Sequence, residues 1–237
     1  MIKKGFKFGF IFLGFFILST VLHVLSVGMF NHTWSPLMVG RNYDALSTNP
    51  EYSAMQRYVP LDSISPNLIL AVMCAEDQKF PSHNGFDYDA IQQALEYNKT
   101  HEDKKGASTI SQQTAKNVFM WQGRNWIRKG FETYYTFLIE TLWSKRRIME
   151  AYLNIIEMGD GIFGAEAASR YYFDKSAMEL TENEAASIAA ILANPIKFSA
   201  TNPDRKIKRK IKNIKRFMKK YKNLLVELGI EKKSGRK

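Results

Sequence analysis

A single cysteine, Cys74, excludes an intramolecular disulfide framework and any zinc cluster built on cysteine. Histidine is equally scarce: His23, His32, His83 and His101 are scattered over 237 positions, and no metal-ligand spacing is readable among them. No alternating pattern runs long enough for more than a few residues of strand, and no internal repeat is visible. Acid is nearly missing from both ends. The first seven residues hold Lys3, Lys4 and Lys7 and no carboxylate, and Arg205 to Lys237 holds 15 Lys+Arg against Glu227 and Glu231. The stretch between them carries 16 Lys+Arg against 21 Asp+Glu, so the net charge of +11 belongs to the termini and not to the core. With 45% apolar and 24% charged residues, the composition is that of a folded chain.

Charge is also absent from Phe8 to Phe30, which contains no Asp, Glu, Lys or Arg. As a helix, such a segment reaches roughly 34 Å, enough for a bilayer core of ~30 Å. The flanking lysines predict a cytoplasmic N-terminus. A cleaved signal peptide is the rival reading, but its apolar region is shorter and Ser26-Val27-Gly28 is a weak cleavage match. The expected organisation is a basic N-terminus (1–7), a transmembrane anchor (8–30), a linker (31–61), a domain (62–204) and a basic amphipathic tail (205–237).

Within the domain, helical signals dominate. Ser65-Pro66 reads as an N-cap with proline in the first turn, opening an apolar helix to Glu76-Asp77. Asp87 caps a second helix, and the polar stretch 98–106 reads as a mobile loop. Thr109-x-x-Gln112 matches a capping box. Trp126 to Trp143, Ile148 to Ile156, Ala165 to Tyr172 and Glu182 to Leu192 continue the series. The fold class is mainly α. In the tail, Ile207, Ile211, Ile214, Phe217 or Met218, Tyr221, Leu224 or Leu225, and Leu228 share one stripe opposite lysines and arginines. That stripe fits either packing on the domain or adhesion to anionic lipid, and adhesion is the favoured expectation.

Three segments carry candidate chemistry. Glu76 and Asp77 end an apolar helix, where Glu76 is placed to act as a general base; a charged helix end is the plain structural account. On the next helix Thr109, Gln113, Lys116 and Asn117 fall on one polar face, suited to a sugar or phosphate-bearing ligand. Arg124, Arg128 and Glu132 follow at i, i+4 and i+8, either an ion-paired stripe or a cationic cradle edged by a carboxylate. Two carboxylates alone suggest glycoside hydrolysis. Three cations beside them suit a leaving pyrophosphate better, because it needs positive charge and no proton as the bond breaks.

The order E-D-x-x-F-x-x-H-x-G (Glu76 to Gly85), G-A-S-T-I-S-Q-Q-x-x-K-N (Gly106 to Asn117), R-K-x-x-E (Arg128 to Glu132) and K-R-R-I-x-E-x-Y-L-N (Lys145 to Asn154) resembles the peptidoglycan glycosyltransferases of family 51. The stretch 159–173 and Asn194-Pro195 resemble its monofunctional biosynthetic transglycosylases. The resemblance covers about residues 60 to 203. It implies a lysozyme-like α lobe with a smaller membrane-associated lobe, for which Phe119, Met120, Trp121 and Trp126 are the membrane-facing candidates, with packing in the core the equal alternative.

It further implies polymerisation of lipid II with inversion, release of undecaprenyl pyrophosphate and formation of β-1,4 bonds. Glu76 would deprotonate the acceptor hydroxyl. Lys116, Arg124 and Arg128, with Ser108 nearby, would hold the pyrophosphate, and Glu132 would orient them or a metal ion. Asp77, Phe80, His83, Thr109, Gln113 and Asn117 would shape the cleft. Glu150, Tyr152 and Asn154 read as structural. No cofactor is certain; a divalent cation, magnesium or manganese, stays open.

The expected partners are lipid II, the lipid-linked glycan chain, the membrane and other cell-wall synthesis proteins, with no nucleic acid. The expected place is the bacterial inner membrane, single-pass, with the catalytic domain periplasmic. Transpeptidation is not expected, since the Ser-x-x-Lys match at Ser234 to Lys237 sits in the basic tail. The alternatives are a lytic, glycan-cleaving enzyme and a non-catalytic membrane-tethered scaffold.

Overall fold

The computed structural model describes residues 2–30, 34–46, 53–121, 123 and 125–231. Arg124 and Ser234 to Lys237 therefore lie outside the described residues. The fold is mainly α and lysozyme-like, with three very short strands among eleven helices described.

Helix α1 (Ile2–Met29) is long and apolar enough to cross a membrane over Gly9–Met29. From Gly9 onward most of its surface is open, and Thr20, Val24 and Val27 are its buried residues there. At that end it is fastened to the domain. The Trp143 indole N–H donates to the Val24 carbonyl (3.0 Å), and a Cβ at Gly28 would lie 2.4 Å from that indole nitrogen. Arg147 Nη2 donates to the Val27 and Phe30 carbonyls (2.8 Å each), which pairs acceptors that a helix end leaves unsatisfied.

The expected linker contains structure that the sequence reading missed. Helix α2 (Pro36–Leu46) lies within it, and β1 (Met55–Gln56) follows. The signal was present: Ser35-Pro36 repeats the Ser65-Pro66 pattern, and Ser35 Oγ accepts from the Met38 N–H (3.2 Å). The segment also holds Gly40 among Asn, Asp and Pro residues, which reads as a connector and not as a helix.

The remaining helices start where local chemistry dictates. Ser65, Asp87, Thr109, Asn125, Ser144, Thr181 and Asp204 each accept a backbone N–H of the first turn. They open α3 (Pro66–Glu76), α4 (Tyr88–Thr100), α5 (Ile110–Phe119), α6 (Trp126–Leu142), α7 (Lys145–Ile155), α9 (Glu182–Ile191) and α10 (Arg205–Lys220). Between α7 and α9 come β2 (Glu157–Gly159), β3 (Ile162–Phe163) and α8 (Ala165–Phe173), and α11 (Asn223–Glu227) closes the series. The sheet order is β1-β3-β2, with β1 parallel and β2 antiparallel to β3. Gly164, at φ +82°, turns β3 into α8 where a Cβ would sit 2.7 Å from the Asn154 carbonyl oxygen.

Helix α3 packs chiefly on α9 and α10, while α5 packs on α6 and α7, α2 on α5 and α1 on α6. Glu150 and Asn154 strap the chain before α3 onto α7. Glu150 accepts from the Tyr58 hydroxyl (2.6 Å), Arg147 Nη1 (2.6 Å) and the Leu61 N–H (2.8 Å), and Asn154 pairs with both polar groups of Val59. Burial raises the Glu150 carboxyl, and these donors together outweigh it, so its pKa is lowered.

Two expectations are corrected here. The apolar stripe of the tail is not available to lipid, because Ile207, Ile211, Ile214, Met218, Leu224, Leu225 and Leu228 are buried in the main core. Burying that stripe in protein satisfies the hydrophobic drive that lipid was expected to meet. The domain's core thus extends through α10 and α11, and only the charged face is exposed. The stretch 98–106 is loop only from His101 onward, and that exposed loop is tied back to the helix before it. Helix α4 runs to Thr100, Asn98 bonds both polar groups of Lys105, and Lys105 Nζ lies 3.7 Å from the Tyr97 ring centroid.

Candidate active site

Glu76 is the last residue of α3, half-buried, at the edge of a cleft of about 760 Å³. Its Oε2 accepts from Gln113 Nε2 on α5 (3.1 Å), and Gln113 Oε1 accepts from the Tyr152 hydroxyl on α7 (3.2 Å). Tyr152 is fully buried. Burial first, then the charges of Glu76 and Asp77, raise its pKa well above the ordinary value, so it remains an O–H donor. A carboxylate can only accept, so the amide nitrogen of Gln113 must face Glu76 and its oxygen must face the phenol. Two side chains from two other helices thereby fix one carboxylate oxygen and leave the other without a partner among the described residues.

Tyr152 was read from sequence as structural, and the geometry makes it a positioning residue. Tyr152→Phe keeps the ring and removes the donor. Steady-state kinetics on this variant should show kcat reduced about tenfold, the equivalent of ~1.4 kcal/mol for one hydrogen bond, with KM within twofold of wild type. A lower melting temperature with unchanged kcat would confine the hydroxyl to folding.

Asp77 lies one residue further and does a different job. Its buried Oδ2 accepts from His83 Nε2 (2.9 Å) and from the Ile110 N–H at the start of α5 (2.9 Å). His83 Nδ1 accepts from the Gly85 N–H (2.9 Å), so the ring proton sits on Nε2 and points at Asp77. Thr109 Oγ1 donates to the Gly85 carbonyl (2.6 Å). Gly85 is held at φ +90°, with space for no Cβ: one would lie 2.8 Å from Thr136 Cγ2. Phe80 is buried with its ring edge toward His83. Of the residues expected to shape the cleft, Asp77, Thr109 and Gln113 line it, whereas Phe80 and His83 stand behind its wall. They lock the chain after α3 onto the N-terminus of α5 and so set where Glu76 stands.

Ser108 also opens onto this cleft, beside Glu76 and away from the cations. From the opposite side Lys210 and Tyr221 close it, two residues that the sequence reading assigned to the tail. No local signal marks them; only the packing of α10 brings them there. Cys74 lines the same cleft, but burial pushes its thiol up to about 12, so it is protonated and not a nucleophile.

The cations gather in a second depression of about 200 Å³, one helical turn further along α5. Lys116, Asn117, Trp121 and Arg128 line it. Asn117 Nδ2 and Arg128 Nε are buried donors with no hydrogen-bond partner. Orphaned buried donors are costly, and both of these residues line the depression beside Lys116. Glu132 lies outside both depressions. It is 3% exposed and binds Arg128 Nη1 (3.1 Å) and Lys129. It therefore orients the guanidinium and does not face a reacting atom. Among the described residues no three His, Cys, Asp or Glu side chains gather as a metal-holding group.

The second depression adjoins an exposed apolar surface. Phe16 of α1 packs on Phe131 and Tyr134 of α6, so the first half of α6 runs beside the membrane-length span. On that side Trp126 is 90% and Ile127 72% exposed, and Trp121 and Phe137 are open too. Phe119 and Met120, expected to face the membrane, are instead packed inward. Phe119 stacks on Tyr135 at 4.7 Å, and Met120 is 4% exposed.

Comparison with known proteins bears on the same residues. The family described as Transglycosylase matches residues 43–219. A Bacteroides thetaiotaomicron protein named biosynthetic peptidoglycan transglycosylase is 46% identical over 92% of this chain and 88% of its own. Proteins of that name from Bdellovibrio bacteriovorus (53% identical, 71% of this chain and 68% of theirs) and Xanthomonas campestris pv. campestris (46%, 85% and 82%) are also similar.

Proposed function

The chain belongs to the transglycosylase family, a peptidoglycan glycosyltransferase, and from that premise we propose that it polymerises lipid II at the two adjoining depressions. The diphosphate of the growing, lipid-linked chain lies at Lys116, Asn117 and Arg128. Its sugars occupy the larger cleft. The 4-hydroxyl of the incoming disaccharide-peptide is placed at the free oxygen of Glu76.

The transfer then balances. The acceptor oxygen attacks the anomeric carbon from the face opposite the diphosphate and its proton passes to Glu76. The bond to the diphosphate breaks, and the developing charge meets the cations and the unpaired donors. The single observation that carries this reading is the pairing on one short helix. Gln113 of α5 holds the base, and Lys116 and Asn117, one turn on, open onto the cationic depression. A lytic enzyme would leave that depression without a purpose. Glu132 is engaged by Arg128 and Lys129, and no step is routed through a divalent cation.

The proposed setting is the bacterial inner membrane, with α1 as a single-pass anchor, its N-terminus cytoplasmic and the domain outside. The exposed tryptophans beside α1 support a lobe that dips toward the lipid tail of the substrate. Other cell-wall synthesis proteins are proposed partners.

The test is lipid II polymerisation by the detergent-solubilised full chain, read as glycan length on a gel. Long strands are the expected product. Shortening of preformed glycan would establish the lytic alternative, and absence of any product would leave the scaffold.

A further inference from the structure

Helix α10 is a ridge between two grooves. One flank gives Lys210 and Tyr221 to the Glu76 cleft. The other flank borders a separate groove of about 830 Å³, whose rim carries Lys208, Lys212, Lys215, Arg216 and Lys219 and whose lining includes Phe173 and Ile211. Among the described residues no carboxylate lines it.

The helix carries ten Lys+Arg, and its sequence holds no acid. Among the described residues none of the ten forms an ion pair. Of the groove's five cations only Lys215 has a hydrogen-bond partner, the neutral Asn183 side chain (3.1 Å). Lys208, Lys212 and Arg216 repeat every four residues, as do Lys215 and Lys219, so like charges face one another along the helix. Each such pair mildly destabilises a helix. The buried stripe of α10 holds the helix together against this repulsion, which an anionic occupant would relieve.

We propose that this groove binds the enzyme's own product, a glycan strand whose stem peptides carry carboxylates. The inference rests on the polymerase reading above. The growing chain is attached through its reducing end to the diphosphate, so its older sugars lead away from the cationic depression. They run through the larger cleft, past Lys210 and Tyr221, and over α10. The occupant is then an extended anion with apolar sugar faces, matching a cationic rim over apolar lining. A membrane surface fits less well, because the exposed tryptophans and α1 gather on α5 and α6, while α10 packs on α3 and α9.

The test uses the full chain in detergent with soluble, uncross-linked glycan strands as the probe. One variant is Lys212→Gln/Arg216→Gln/Lys219→Gln. A charge-matched control is Arg205→Gln/Lys206→Gln/Lys220→Gln, on the same helix but away from the groove. The groove variant should bind intact strands about tenfold more weakly, with a reduced salt dependence, while the control stays near wild type. Strands stripped of their peptides should not distinguish the three proteins. In polymerisation, the groove variant should form its first bonds at the wild-type rate and yield shorter strands.

Equal strand affinity in wild type and groove variant would overturn the proposal, as would equal losses in variant and control. Unchanged strand binding with lost binding to phosphatidylglycerol vesicles would replace it with a membrane contact. A wild type that makes no polymer but binds strands through the groove would sink the polymerase reading alone.

Discussion

Glu76→Gln should abolish glycan polymerisation, with kcat reduced by about a thousandfold and KM near its wild-type value. A positioned general base contributes roughly 10²–10⁴-fold, and the amide cannot take the acceptor's proton. The substitution is nearly isosteric, and its amide oxygen still accepts from Gln113 Nε2, so melting temperature should not move. The neighbouring carboxylate is the natural rival for the role, and the structure separates the two. Asp77 Oδ2 is already shared between His83 and the first N–H of α5. Asp77→Ala should therefore lower stability by about 1–3 kcal/mol, since it leaves buried donors unpaired. Its loss in rate should be smaller than that of Glu76→Gln, because it loosens the position of the base and leaves the base in place. A Glu76→Gln enzyme that polymerises at more than a tenth of the wild-type rate would remove Glu76 from the chemistry.

Arg128→Met should weaken the enzyme in two separable ways. It removes one of the cations proposed to meet the diphosphate, which should cost about a hundredfold in kcat/KM. It also leaves Glu132, 3% exposed, with Lys129 as its remaining cation. Breaking one side of a buried pair costs about 3–5 kcal/mol where no second partner remains, and Lys129 should hold the loss below that. Adding Glu132→Gln to Arg128→Met removes the uncompensated charge. Thermal unfolding should show stability recovered in the double variant, while polymerisation stays as low as in Arg128→Met alone. Recovery of both together would make Arg128 a structural partner of Glu132 and nothing more. Glu132→Gln by itself should retain more activity than Arg128→Met, because it loosens the guanidinium without removing it.

What the sequence determined by itself is what depends on residues a few positions apart. The caps at Ser65, Asp87 and Thr109 and the apolar periods of α6, α7 and α9 were readable because a helix start is settled within one turn. The membrane-length span was readable because a bilayer sets one length and tolerates almost no charge. The motif order around Glu76, Gln113 and Arg128 was legible in the same way and led to the right family.

Tertiary packing decided the rest. The polar face of α5 was predicted as one surface, and packing against α2, α6 and α7 divides it between two depressions. Glu132 was expected to orient the cations or a metal ion, and it is burial against Arg128 and Lys129 that turns it toward the cations and away from the cleft. Tyr152 reaches Gln113 across 39 residues, Glu150 binds Tyr58 across 92, and Arg147 reaches Val27 across 120. No periodicity reports contacts of that separation. The tail shows the same limit. An amphipathic stripe states that an apolar face must be covered, since water disfavours it. Whether lipid or protein covers it depends on which surface lies opposite, and that is settled only when α3, α9 and α10 come together.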